Sequence, residues 1–169
     1  MTDSAVESLD QLYGRPGFLL RRTHQIFVSI LETEFATLGL SPAQYSVLVA
    51  LNDRTCVAQG DLGPLLGMNK VSISQVVQGL ERQGWLTREV HDKDKRQRLL
   101  RLTPQGKRVL HRTRELAEAT YRTQMAPLNA QEREQLVGLL SRLMTDLEPH
   151  ARTAFQPTPP PPRRKPRAA

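Results

Sequence analysis

The stretch Arg88–Leu102, REVHDKDKRQRLLRL, decides how the rest of the chain is read. Eight residues stand between Val90 and Leu99, and seven of them are ionisable. No core accepts such a segment, because an unpaired charge is too costly to bury. With Val90 on one side and Leu99, Leu100 and Leu102 on the other, it reads as the tip of a hairpin held out on two strand-like arms. The purpose of such a tip depends on its neighbours.

Just before it runs NKVSISQVVQGLERQGW, residues 69–85. Asn69 suits a helix N-cap. Ile73, Val76, Val77 and Leu80 recur at helical spacing, and Gly84 is a natural stop. The opposite face carries Lys70, Ser74, Gln75, Gln78 and Arg82. Further upstream, GDLGPLLG (60–67) is poor in helix formers. It makes a short helix if Asp61 lies near its start, since proline is tolerated in a first turn. NDRTCVAQG (52–60) reads as a turn. Ser41 and Pro42 are a cap and a first helical residue for a mostly buried helix through AQYSVLVAL, 43–51. A longer helix is predicted from Pro16 to about Leu38, with Leu20, Phe27, Leu31 and Leu38 on one face.

After the hairpin, Thr103 and Pro104 repeat the cap-then-proline signal for a helix to about Met125. Asn129 with Glu132 forms a capping-box pattern. In the helix that follows, Leu136, Leu140, Leu143 and Leu147 make a stripe, with Leu139 and Met144 beside it. That stripe requires a helical partner. The order of elements predicts a mainly α fold with a small β-hairpin wing, a winged helix-turn-helix. Residues 1–40 and 104–155 are assigned to dimerisation, and 41–103 to a DNA-binding lobe. The end of the chain, QPTPPPPRRKPRAA (156–169), is read as an extended, disordered basic tail.

In a helix-turn-helix the second helix enters the major groove. Ser74, Gln75 and Gln78 are expected to read base edges, and Lys70 and Arg82 to hold phosphates. His91, Lys93, Lys95, Arg96 and Arg98 of the wing gain attraction from DNA that no core supplies. Asp92 and Asp94 are suited to bonding the turn backbone or orienting an arginine. Composition agrees. Basic side chains number 24 against 17 acidic, for a net charge of +7. Four of the cations, Arg163, Arg164, Lys165 and Arg167, lie in the tail, leaving +3 for the rest. Such a balance favours polyanionic partners.

Other classes recede. The one cysteine, Cys56, allows no disulfide within a chain, so a reducing compartment is the default. The start, MTDSAVESLD, has no signal-peptide pattern, and no apolar run approaches the roughly 18 residues of a span. The expectation is a soluble, cytoplasmic protein without a membrane partner. Four scattered histidines show no metal-ligand spacing, and no cofactor is implied. Walker, nucleophile-elbow and HExxH motifs are missing, so an enzyme is not expected.

The segment LGMNKVSISQVVQGLERQGWLTREVHDKDKRQRLLRLTPQG, 66–106, resembles the recognition helix, wing and following helix of the MarR family, the multiple antibiotic resistance regulators. The resemblance rests on Ser72-Ile73-Ser74, Leu80 before Gly84, Asp94 with Arg96, and Leu102-Thr103 with Gly106. It extends over roughly Gly17 to Leu147. It implies an intertwined homodimer whose first and last two helices interlock, bound to a pseudo-palindromic operator. It also implies repression relieved by a small ligand or an oxidant. Gln75 and Gly79 stand where the family often has basic residues, and Lys95-Arg96 replaces its paired arginines. More phosphate affinity is therefore expected from the wing, where Lys93, Asp94, Lys95, Arg96 and Arg98 lie. Gly79 is read either as an exposed, tolerated glycine or as a point of close approach to phosphate.

Members with a segment like PGFLLRRTHQ (16–25) resemble regulators of aromatic-acid catabolism. Arg21, Arg22 and His24 suit a carboxylate or phosphate. With Phe27, Tyr45 and His111 they form a candidate site for an anionic aromatic or acyl-coenzyme A effector. The competing reading of His24 is a satisfied core or interface residue. Cys56 is either a buried thiol or a redox sensor aided by Arg54. A dimer binding DNA without sequence preference, an architectural module, is the alternative to a specific regulator.

Overall fold

Three of the α-helices start on proline, whose fixed φ and missing N–H fit the first helical position. The computed structural model describes residues 6–90 and 95–157. A short helix α1 (Leu9–Tyr13) precedes α2 (Pro16–Phe35), which tightens into a 3-10 turn at Ala36–Leu38. Gly39 ends it at φ 61°. Helix α3 (Pro42–Arg54) opens with a full capping box between Ser41 and Gln44. Strand β1 (Val57–Ala58) runs straight into α4 (Gln59–Leu66), and α5 is Lys70–Arg82. The hairpin is β2 (Leu86–Val90) and β3 (Arg98–Leu102). Helices α6 (Pro104–Met125) and α7 (Ala130–Leu147) close the chain, with a 3-10 turn at Glu148–His150.

The predicted caps are all present. Asn69 Oδ1 accepts from the Ser72 N–H, Thr103 Oγ1 from the Gly106 N–H, and Asn129 with Glu132 forms the reciprocal box. Two predictions need correction. NDRTCVAQG is not only a turn: Val57 and Ala58 pair antiparallel with Leu100 and Leu99, giving a sheet ordered β1-β3-β2. Two residues carry no readable alternation, and their partners lie far along the chain. In α4, Pro64 is the sixth residue and lies beyond the first turn, because the helix starts directly after β1 at Gln59. Having no N–H, Pro64 weakens the helix. It ends two residues later, with Gly67 at φ 63°.

One core joins the lobe to its supports. Val47, Leu48 and Leu51 of α3, Leu62 of α4, and Ile73, Val77 and Leu80 of α5 pack under Leu86 and Leu100 of the sheet. Phe35 from α2 is fully buried there, and Val109, Leu110 and Leu116 of α6 lie against it. The packing therefore crosses the boundaries read at 40/41 and 103/104. Helix α2 runs against α6, where the Gln124 side chain donates to the Phe27 carbonyl at 3.1 Å. Helix α7 buries none of its residues; Val137, Leu139, Leu140, Leu143, Met144 and Leu147 are exposed. Among the described residues no single helix is long and apolar enough to cross a membrane. The bent pair 16–38 and 42–54 passes on composition, but Val47, Leu48, Ala50 and Leu51 of its second half belong to the core.

Candidate nucleic-acid interface

Helix α5 has a sharply two-sided surface. Ile73, Val77 and Leu80 point into the core, which holds the helix by its apolar face. The outer face presents Gln75, Gln78 and Arg82, all exposed, with Lys70 exposed at its N-terminal end. Ser72 and Ser74 are half-buried on the flanks. Ser72 also supplies the backbone N–H for the Asn69 cap, at 2.9 Å. Val71 shares the outer face and is 67% exposed. Apolar spacing did not mark it, because it falls off the stripe begun by Ile73. A methyl-bearing side chain there suits contact with a thymine methyl.

Gly79 is half-buried on the side of α5 that faces α3. A Cβ at Gly79 would lie 3.2 Å from Gln44 Nε2 of α3. That neighbour is the tip of a flexible side chain, which also bonds Gln83 Oε1 at 3.3 Å. Gly63 is more constrained, because a Cβ there would meet the Met68 backbone carbonyl at 2.9 Å.

The hairpin is tied to α5 through Arg88, whose Nη2 lies 3.0 Å from Glu81 Oε2. The approach is an ion pair off the hydrogen-bond axis, since neither Nη2 nor Nε has an aligned acceptor. Arg101 pairs with Glu89 across the two strands at 3.5 Å. Lys95, Arg96 and Arg98 are exposed at the tip end of the wing. Arg98 Nη1 donates to the Lys95 carbonyl at 2.8 Å, which stiffens that turn. His91, Asp92, Lys93 and Asp94 lie outside the described residues.

Between wing and helix-turn-helix lies an open groove of about 890 Å³. Lys70, Arg96 and Arg98 line it, together with Asn69, Asp61 and, from the C-terminal segment, Arg152. The groove brings one cation of the recognition helix together with two of the wing. Arg152 was not singled out in the sequence, where it precedes the proline-rich stretch without a motif.

The other candidates are more scattered. Arg21, Arg22 and His24 are exposed on α2, and His111 is exposed on α6. The Arg21 guanidinium sits over the Phe18 ring, 5.0 Å from its centroid. Phe27 and Tyr45 are half-buried, and the Tyr45 ring meets Phe35 edge-on at 5.0 Å. None of the six lines the groove or the smaller cavity of about 350 Å³. Cys56, half-buried, lines that smaller cavity with Arg54 and Gln156. Arg54 forms an ion pair with Asp53 at 3.2 Å.

A family model described as MarR family matches residues 38–97. A candidate transcriptional regulatory protein for the hcr operon of Thauera aromatica is 31% identical over 131 residues, 77% of this chain and 79% of that protein. The PcaV transcriptional regulator from Streptomyces coelicolor, solved in complex with its natural ligand, is 31% identical with a TM-score of 0.73, covering 86% of this chain and 99% of that one. BpsR from Bordetella bronchiseptica, solved to explain regulation of its DNA binding by 6-hydroxynicotinic acid, is 28% identical with a TM-score of 0.71, covering 75% and 96%. A mostly helical chain with this three-stranded sheet, this recognition helix and these relatives belongs to the MarR family of DNA-binding transcriptional regulators.

Proposed function

We propose that the chain is a cytoplasmic, homodimeric repressor that holds a pseudo-palindromic operator and releases it when a small anionic ligand binds. The outer face of α5 carries this reading: two exposed glutamine side chains and Val71, flanked by Lys70 and Arg82, on a helix whose other side is buried. Glutamine pairs well with adenine edges, whereas cations hold phosphates at any sequence. Gln75→Ala is expected to relax base preference at one position of each half-site, at about 1–3 kcal/mol. Arg96→Ala is expected to weaken binding to all sequences and flatten the salt slope by about one unit per wing. Binding titrations on operator variants at several salt concentrations measure both. The wild type should prefer its operator by roughly a thousandfold or more. Equal affinity for operator and scrambled DNA would instead make the protein an architectural binder.

For the effector we propose an aromatic carboxylate or its coenzyme A thioester, held by Arg21 and His24 with Phe27 and Tyr45 on the apolar side. His111 is a further lining residue in this reading, while Arg22 points away from Arg21 and His24, toward the other subunit or solvent. The regulators with bound ligand or 6-hydroxynicotinic acid control support a small-molecule effector. The ligand would favour a lobe spacing that mismatches successive major grooves, and DNA must weaken ligand binding by the same factor. Arg21→Ala and His24→Ala should keep operator affinity and lose the ligand response. Titrating operator complexes with a panel of aromatic acids and acyl-coenzyme A thioesters checks this. Wild-type responses from both variants would move the effector site elsewhere.

A further inference from the structure

The chain does not leave the body of the protein where α7 ends. Leu147 runs directly into the 3-10 turn at Glu148–His150, and the residues after it return to the helix-turn-helix. The Phe155 N–H donates to Glu148 Oε1 at 2.6 Å, which closes the segment on its own turn. The Gln156 N–H donates to the Pro64 carbonyl at 2.8 Å. Pro64 is in the last turn of α4, where carbonyls have no partner further along the helix. The Gly67 N–H reaches the same oxygen only at 3.5 Å. The half-buried Phe155 ring lies over Gly67, its Cδ2 3.6 Å from where a Cβ of residue 67 would stand. Gln156 opens the stretch that composition reads as a free tail, yet it is bonded to α4. Helices α4 and α5 otherwise pack chiefly on α3, on the sheet and on each other. The lobe meets α6 elsewhere, with Gly106 against Trp85 and with Val109 and Leu110 on the core. The strap 148–156 is therefore a separate attachment, made at the turn ahead of α5.

We propose that Glu148 and Phe155 are positioning residues for operator recognition: the strap ties the end of α7 to the α4–α5 turn and so sets the distance between the two recognition helices of a dimer. This rests on the homodimeric, operator-binding reading above and deepens it. The exposed apolar stripe of α7 ends at Leu147, and Glu148 follows it directly. Whatever holds α7 against a second copy therefore holds Glu148, and through Phe155 and Gln156 it reaches Gly67 and Pro64. Asn69, the cap of α5, stands just beyond Gly67. Held only at α2 and α6, the lobe can swing about its junctions with them. A further attachment away from those junctions removes that freedom. Two recognition helices must meet major grooves one turn of DNA apart. One added base pair shifts a half-site by about 3.4 Å and turns it by about 35°. A rigid pair of lobes loses the second half-site under that change. A looser pair follows it, but has a lower effective concentration at the native spacing.

The test compares the full chain with its variants Phe155→Ala, Phe155→Leu, Glu148→Ala and Glu148→Gln. Each is titrated with a single half-site, with the operator, and with operators carrying one base pair more or fewer between the half-sites. Wild type should lose about a hundredfold on either altered spacing. Phe155→Ala and Glu148→Ala should lose less than about tenfold there, and bind the native spacing about threefold to tenfold less tightly than wild type. Both should keep single-half-site affinity and base preference. Phe155→Leu keeps an apolar cover on Gly67, and Glu148→Gln keeps an acceptor for the Phe155 N–H, so these two should follow the wild-type spacing profile. A contribution to stability alone would weaken all duplexes alike and leave the profile unchanged, and that result would overturn the proposal. Hydrogen exchange without DNA is the second measurement, in which the Gly67 and Met68 amides should exchange about tenfold faster in Phe155→Ala. Unchanged exchange at those amides would equally sink it. A wild type that is monomeric or shows no operator preference would refute the regulator reading, whereas the exchange rates would still decide whether the strap holds the α4–α5 turn.

Discussion

Gly106→Ala is expected to melt the protein about 6–12 °C below wild type, a loss of about 3 kcal/mol. Gly106 is the third residue of α6, where the helix starts against the strand-bearing side of the lobe. A Cβ there would stand 2.0 Å from the Trp85 carbonyl oxygen and 2.9 Å from its carbon. Both obstacles are backbone, so no rotamer change relieves them. The surroundings are bonded shut. The Thr103 N–H donates to the same Trp85 carbonyl at 3.1 Å, and Thr103 Oγ1 donates to the Gly84 carbonyl at 2.7 Å while accepting from the Gly106 N–H. Relief requires lifting α6 off the lobe, which loosens Val109 and Leu110 from the core. Gly17→Ala is the control, because a Cβ there meets nothing within 4 Å. Thermal melts followed by circular dichroism separate the two. A Gly106→Ala protein as stable as Gly17→Ala would show that α6 is not locked to Trp85.

The second large effect is expected from α7. Leu140→Glu with Leu143→Glu should convert the dimer to monomers and lower operator affinity by about a thousandfold, the loss expected when a monomer holds one half-site. Within one chain Val137, Leu139, Met144 and Leu147 are each more than half exposed, and Leu140 and Leu143 lie between them. Leu19, Leu20 and Ile26 on α2 are also exposed. Each such side chain gains about 1.5–3 kcal/mol on full burial, and monomeric proteins rarely leave so continuous a patch in water. A second copy supplies the same stripe with matching register, which a two-fold axis requires. Removing 129–169 should have the same effect or prevent folding. Sedimentation equilibrium and operator titration measure the outcomes. A wild-type protein that is monomeric at micromolar concentration and still binds a full operator would refute this arrangement.

What the sequence determined by itself is local. Ser41, Asn69, Thr103 and Asn129 each cap a helix through an N–H three residues ahead. The apolar steps of α5 fixed which face is buried, and thus which face is offered to DNA. The charged run 91–98 could only be an exposed tip between two arms, and residues 86–90 and 98–102 are those arms. All these signals lie within a few residues of their cause, so they survive being read one window at a time. The tertiary structure decided what depends on distant partners. Val57 and Ala58 are a strand only because Leu99 and Leu100 are there to pair with them. Gly106 is explained by the Trp85 backbone, a neighbour that the chain brings near by folding. Arg152 lines the groove beside Lys70, Arg96 and Arg98 because the chain folds back after α7 and the Gln156 N–H bonds the Pro64 carbonyl. Such contacts form only after a long loop is closed, at an entropic cost repaid by packing that no short window contains.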